Sequence, residues 1–264
     1  MARLGRAPEA QEIKMHTTGI PIDVDQMIEQ PLFSGMDGPR LASIAKGGWT
    51  VEEGRGARIL SRGEHLDGLY TVFEGRLKLY MLSCNGDERV LRVLLPGDNF
   101  GEAIMFNEIP SPVFVEALSP VRLGYFPRQL ISAALASDPG FTESMLKSMS
   151  ALMRQLIQDL ETCCMQNALQ RTASYLLHQA DAAGPPHERI ELPAPKAVIA
   201  STLNISAETF SRELHRLQDA GVIEINRRII YLHDRGHLVA ASEGNGIAEP
   251  RSGRPGRQGS GGPS

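Results

Sequence analysis

Three residues stand out for the chemistry they could do together: Glu208, Ser211 and Arg212, set within Ser206-Ala207-Glu208-Thr209-Phe210-Ser211-Arg212. An arginine can donate twice to guanine O6 and N7, and a carboxylate can accept from the cytosine N4 amino group. On a helix, Glu208 and Arg212 stand one turn apart and oppose an apolar face made by Phe210, Leu214 and Leu217. The competing reading of the same spacing is a surface ion pair, worth about 0.2–0.5 kcal/mol. The chain shows no nucleophile–base pair, metal cluster or phosphate-cradling loop, so an enzyme is not expected.

The surrounding elements favour base readout. Ser206 is a good N-cap with Thr209 at the third helical position, and Asp219-Ala220-Gly221 ends the helix on glycine. Before it, Pro195 to Leu203 forms a short helix with Val198, Ile199 and Leu203 as its apolar face, and Asn204-Ile205 makes a tight turn. Two short helices joined this way fit a helix-turn-helix, whose second helix enters the major groove. Beyond it, Val222 to Ile225 and Ile229 to Leu232 read as a hairpin wing with Arg227 and Arg228 at the tip, placed for phosphates. The candidate DNA contacts are therefore Lys196, Ser206, Glu208, Thr209, Ser211, Arg212, Arg227 and Arg228. The segment Ile190–Ala240 holds six Lys/Arg and six Asp/Glu, and the chain carries a formal net charge of −4. Strong non-specific attraction to DNA is thus not expected, whereas base readout is untouched by that balance.

Upstream the texture is β. The runs Leu69–Phe73, Leu77–Leu82 and Val90–Leu95 are punctuated by Glu74-Gly75, Asn85-Gly86-Asp87 and Pro96-Gly97-Asp98, which suggests a small antiparallel barrel or roll. After Pro139 the pattern becomes helical, with Met145, Met149, Leu152, Leu156, Leu160 and Cys163 forming one stripe. Such a stripe suits a dimer seam and a core helix equally. The expected organisation is a flexible lead (1–24), a sensor roll (25–138), a long helix (139–166), a winged helix-turn-helix (167–241) and a disordered, glycine-rich tail (242–264). Three cysteines, two of them adjacent, give no disulfide framework, and no apolar run is long enough to span a bilayer. The polar N-terminus lacks the core of a signal peptide, so the expected compartment is the cytoplasm.

The stretch Ile199 to Leu217, with the signals Gly63-Glu64, Glu74-Gly75 and Gly97-Asp98-Asn99-Phe100-Gly101-Glu102, resembles the Crp/Fnr superfamily of bacterial regulators over about residues 30–240. The resemblance implies an α+β chain: a cyclic-nucleotide-binding-like β-roll, a long dimerisation helix that pairs two subunits, and a C-terminal winged helix-turn-helix. It also implies double-stranded DNA and RNA polymerase as partners, with activation and repression both open as the output. Glu208, Ser211 and Arg212 match the Fnr-like Glu-x-x-Ser-Arg motif, which implies TTGAT-type half-sites. Ala207 to Ile223 and Glu102-Ala103-Ile104-Met105-Phe106 look most like the nitric-oxide-responsive Dnr subgroup, which implies haem as a cofactor, with His65, Phe100, Met105, Phe106 and Phe114 as the candidate pocket. The segment where haem-sensing relatives carry histidines reads Glu29-Gln30-Pro31 here. Two further departures are informative. Ala103 to Pro120 contains no Arg or Lys to hold a cyclic phosphate, so cyclic AMP is not the expected effector. No cysteine precedes Cys84, so an N-terminal iron–sulfur cluster is not expected. Cys163 and Cys164 are read as packing residues of the dimer helix. The rival readings are an effector-independent regulator, and a small-molecule-binding protein whose C-terminal domain serves protein contacts.

Overall fold

The computed structural model describes residues 20–183 and 189–245, with the side chains of Cys163 and Ala183 excepted. The chain opens with β1 (Ile20–Pro21), α1 (Val24–Ile28), a 3-10 turn (Pro31–Phe33) and α2 (Gly38–Gly47). The roll then runs through β2 (Trp49–Glu53), β3 (Arg58–Leu60), β4 (Gly68–Glu74), β5 (Leu77–Leu82), β6 (Glu88–Leu94), β7 (Asn99–Phe100), α3 (Glu102–Asn107), β8 (Phe114–Ala117) and β9 (Val121–Pro127). These strands form two sheets, ordered β1-β2-β9-β4-β7 and β3-β8-β5-β6, antiparallel at every pairing. The expected lead to residue 24 is corrected: Ile20 and Pro21 pair with Thr50 and Trp49, and the Asp23 side chain caps α1. Residues 1–19 lie outside the described part.

Turn chemistry sets the roll's corners. Gly75 joins β4 to β5 at φ 86°, and a Cβ there would meet the Pro120 carbonyl oxygen at 2.2 Å, so both backbone angle and space demand glycine. The Asn85-Gly86 signal marks a five-residue loop closed by Ser83 N–H donating to the Asp87 carbonyl at 2.9 Å. Between the two sheets pack Leu60, Val72, Leu77, Leu94, Phe100, Val115 and Leu123. A cross-strand row of rings, Trp49, Tyr125, Tyr70 and Phe100, crosses the larger sheet in register, with centroids 4.6–4.9 Å apart. A second core lies on that sheet's helical side, where Phe33 packs against Phe126 and Phe141.

After α4 (Arg128–Ser137) the long helix α5 (Pro139–Met165) starts on the Asp138 carboxylate, which accepts from Phe141 N–H at 3.0 Å and pairs with Arg40 at 3.0 Å. Its 27 residues reach about 40 Å. One of the expected seam residues is corrected here. Met145, only 5% exposed, sits beside Phe141 in the helical-side core, whereas Leu152 is half-buried. Besides Met165 at its end, the apolar side chains that α5 leaves open include Leu146, Met149, Met153, Leu156, Ile157 and Leu160, each 43–64% exposed. Leu146, Met149, Met153, Leu156 and Leu160 follow one another by three, four, three and four residues, the heptad step of a coiled-coil seam. Cys163 lies on this helix, but its side chain is outside the described part; Cys84 and Cys164 are exposed.

The C-terminal domain comprises α6 (Ala168–Ala183), β10 (Arg189–Glu191), α7 (Lys196–Thr202), α8 (Ala207–Asp219), β11 (Ile223–Asn226), β12 (Ile229–Leu232) and α9 (Arg235–Ser242). Its sheet is ordered β10-β12-β11. The expected start of the tail at 242 is corrected: Ser242 ends α9, whose Leu238 and Ala241 are fully buried, and the Gly244 and Asn245 N–H groups close its last turn. Residues 184–188 and 246–264 lie outside the described part. No helix among the described residues is long and apolar enough to cross a membrane.

Candidate nucleic-acid interface

The reading helix α8 is built by its own sequence. The Ser206 side chain accepts from Thr209 N–H at 3.0 Å, closing the first turn. Phe210, Leu214 and Leu217 are fully buried against Leu169, Ala173 and Leu176 of α6 and Ile199 of α7, and the Phe210 ring meets Tyr175 edge-on at 6.5 Å. Asn204, at φ 57°, makes the turn between α7 and α8, and Arg171 donates to the carbonyls of Leu203 and Asn204 at 3.1 Å, fastening that turn to α6.

On the other side of α8, Glu208 and Arg212 are exposed, with Ser211 and Thr209 half-buried. The sequence left a surface ion pair between Glu208 and Arg212 as the bland reading. Among the described residues no ion pair joins them; the carboxylate that Arg212 approaches is Glu213, with Nε 3.5 Å from Oε1. Glu208 and the terminal nitrogens of Arg212 are therefore unclaimed. Lys196 opens α7 and is half-buried.

The wing hairpin pairs Asn226 with Ile229, so Arg227 and Arg228 form a two-residue turn. Arg227 adopts φ 54°, a conformation L residues avoid outside tight turns. The two arginines differ. Arg228 donates to the Leu192 carbonyl at 3.1 Å and knits the wing to the segment before α7. Arg227 is exposed and has no hydrogen bond or ion pair among the described residues, which makes it the better placed for a phosphate.

Sequence reasoning missed the contact between domains. Val90 N–H on β6 donates to Ser201 Oγ at 2.9 Å, Arg89 donates to Asn204 Oδ1 at 2.7 Å, and Arg76 donates to the Pro193 carbonyl at 2.9 Å. Val93 and Leu118 of the roll pack against the C-terminal core. These pairs are more than a hundred residues apart, and no local pattern signals them.

The five residues expected to line an effector pocket do not converge. Phe100 stacks on Tyr70 inside the roll, whereas Met105 is buried in the helical-side core. Phe106 is exposed, Phe114 stacks on Tyr80 beneath the Arg58 guanidinium, and His65 is exposed in a loop. Met105 and Phe106 are neighbours on α3, so their side chains point about 100° apart, one into the core and the other outward. Glu102 at the start of α3 was also missed. Burial holds Glu102 above the usual carboxylate range against the pull of Arg92, and its Oε2 is buried without a hydrogen-bond partner. Arg92 is itself paired with Asp98.

This geometry is matched by known proteins. Residues 51–138 match the cyclic nucleotide-binding domain family and residues 170–241 match the Crp-like helix-turn-helix domain family, together more than half of the chain. The CRP-like cAMP-activated global transcriptional regulator of Mycobacterium tuberculosis is 24% identical over 211 residues, covering 79% of this chain and 94% of the relative. The anaerobic regulatory protein of Haemophilus influenzae is 26% identical over 185 residues, covering 69% and 71%. A structure of a CooA mutant from Carboxydothermus hydrogenoformans superposes with a TM-score of 0.68 at 20% identity, covering 85% of this chain and 97% of that one, and so supports the fold. A roll of the nucleotide-binding type, a long connecting helix and a capped helix-turn-helix with its wing place this chain in the Crp/Fnr family of transcription regulators.

Proposed function

We propose that this chain acts as a dimer that reads a TTGAT-like palindrome, with Arg212 donating to guanine and Glu208 accepting from the cytosine of the opposite strand. The observation that carries this reading is the outward face of α8: a capped, fully anchored helix whose Glu208 and Arg212 are exposed and not paired with each other. Arg227 supplies a phosphate contact from the wing. The open heptad face of α5 supplies the dimer seam, which sets two reading helices about 34 Å apart in successive major grooves. The stretches Ala207 to Ile223 and Glu102 to Phe106 favour a Dnr-type regulator in the cytoplasm, with RNA polymerase as the partner that the family resemblance implies. A titration against a palindrome of two TTGAT-like half-sites tests this. At fixed salt, binding should exceed that to a scrambled duplex by at least about 10³-fold. Equal binding to both would favour the rival in which the C-terminal domain serves protein contacts.

The sensor is proposed to answer to a small effector other than cyclic AMP, although the mycobacterial relative is named as cAMP-activated. Arg92 is engaged by Asp98, and the Ser111 hydroxyl is 2% exposed and donates to the Val113 carbonyl at 2.9 Å. A cyclic phosphate would thus find no free charged donor in the 103–120 segment. Calorimetry with cyclic AMP is expected to show no binding in the micromolar range, about −8 kcal/mol, and heat in that range would overturn the argument. Haem, which the Dnr resemblance implies, does not fit the residues expected to hold it: His65 is exposed, and Phe100, Met105, Phe106 and Phe114 lie apart.

A further inference from the structure

Glu213 is out of place on the face it occupies. It is 7% exposed, next to Leu214 on the inward side of α8, where a carboxylate is tolerated only with compensating charge. Two arginines supply that charge. Oε1 lies 3.5 Å from Arg212 Nε, and Oε2 lies 3.7 Å from Arg216 Nη1, both beyond hydrogen-bond length. The Arg216 pair has the ordinary i,i+3 spacing. The Arg212 pair does not: adjacent helix residues point about 100° apart, so the Arg212 side chain has to turn back along the helix to reach Glu213.

The edge used is the informative detail. A guanidinium presents two faces of donors, one made of Nε and a terminal nitrogen, the other made of both terminal nitrogens. Glu213 approaches Nε. Among the described residues Nη1 and Nη2 of Arg212 have no hydrogen-bond or ion-pair partner, on a side chain that is 64% exposed, and a bidentate contact to guanine O6 and N7 can use that pair. We infer that Glu213 is a positioning residue for base readout: the buried carboxylate holds the Arg212 guanidinium by its Nε edge and presents its terminal nitrogens to the base. The inference rests on Arg212 being the guanine reader. A long side chain ordered before binding loses less freedom on docking. A negative charge beneath it also lessens its attraction to any phosphate that comes near, so the gain falls on the specific contact alone.

The test is a base-resolved titration of full-length protein against duplexes in which each position of the TTGAT-like palindrome is changed in turn, at fixed salt. Glu213→Gln keeps the shape of the side chain and removes its charge, and Glu213→Leu suits the buried surroundings. Both are expected to lower the preference at the guanine–cytosine pair about 3- to 10-fold, with binding to scrambled DNA unchanged or tighter. In an Arg212→Ala background the same substitutions should change nothing at that base pair, since the two residues act as one unit. A uniform loss across all duplexes, or the same change with and without Arg212, would make Glu213 a purely structural residue and overturn the inference. If Arg212→Ala alone leaves the base preference flat, the readout assignment fails, and the positioning role fails with it. If Arg212→Ala is guanine-specific while both Glu213 variants are flat, only the positioning role fails.

Discussion

Arg212→Ala is expected to cost about 1–3 kcal/mol at each half-site and to erase most of the preference for guanine at one position, leaving the other positions intact. The size follows from what is removed, two charge-assisted donors in a fixed fork. A dimer reads both half-sites, so the loss on a full palindrome approaches twice that value where the sites act independently. Arg227→Ala is the control. As a phosphate contact it should weaken binding to every sequence alike and reduce the slope of log affinity against log salt by about 1 for each half-site. Arg228→Ala should act differently again, because its guanidinium is held by the Leu192 carbonyl, and its loss loosens the wing. Uniform loss from Arg212→Ala would reassign Arg212 to the backbone and sink the readout claim.

Placing charge on the open face of α5 should have an effect of similar or greater size. Met153 and Leu156 are 62% and 56% exposed, so replacing both with glutamate removes nothing from the protomer's own core. Two glutamates facing their copies across a seam would place like charges in an apolar contact, and the dimer should come apart. Sedimentation should then report a monomer, and operator affinity should fall by about 100-fold or more, toward the non-specific range. A variant that stays dimeric would place the seam elsewhere.

The C-terminal domain was the most legible part of the sequence because its signals are local. The Ser206 cap, the spacing of Phe210, Leu214 and Leu217, and the stop at Gly221 act within one or two turns, and the wing is a hairpin of four-residue strands. The roll was legible as a texture, since Gly75 and Gly86 mark corners, but not as a topology, because β2 pairs with β9 across more than sixty residues. The side that α5 turns inward could not be read. Met145, Leu146, Met149, Leu152 and Met153 offer apolar groups over a band wider than one stripe, and only the packing of Phe141 and Met145 against the helical-side core decides which of them is left outside. Glu213 was hidden for a related reason: between two arginines it reads as one more solvated charge, and its burial comes from how α8 packs.

The domain contact at β6 bears on how independent the two halves of this chain are. β6 ends the order β3-β8-β5-β6, so one of its sides has no neighbouring strand, and Ser201 of α7 takes up the Val90 N–H there. Sheet borders with open donors invite pairing with another chain, and proteins shield them with short strands, charge or a covering element. Here the reader domain is that covering element. A roll released at residue 138 would bare this border together with Val93 and Leu118, and its characteristic failure would be strand-to-strand self-association rather than unfolding.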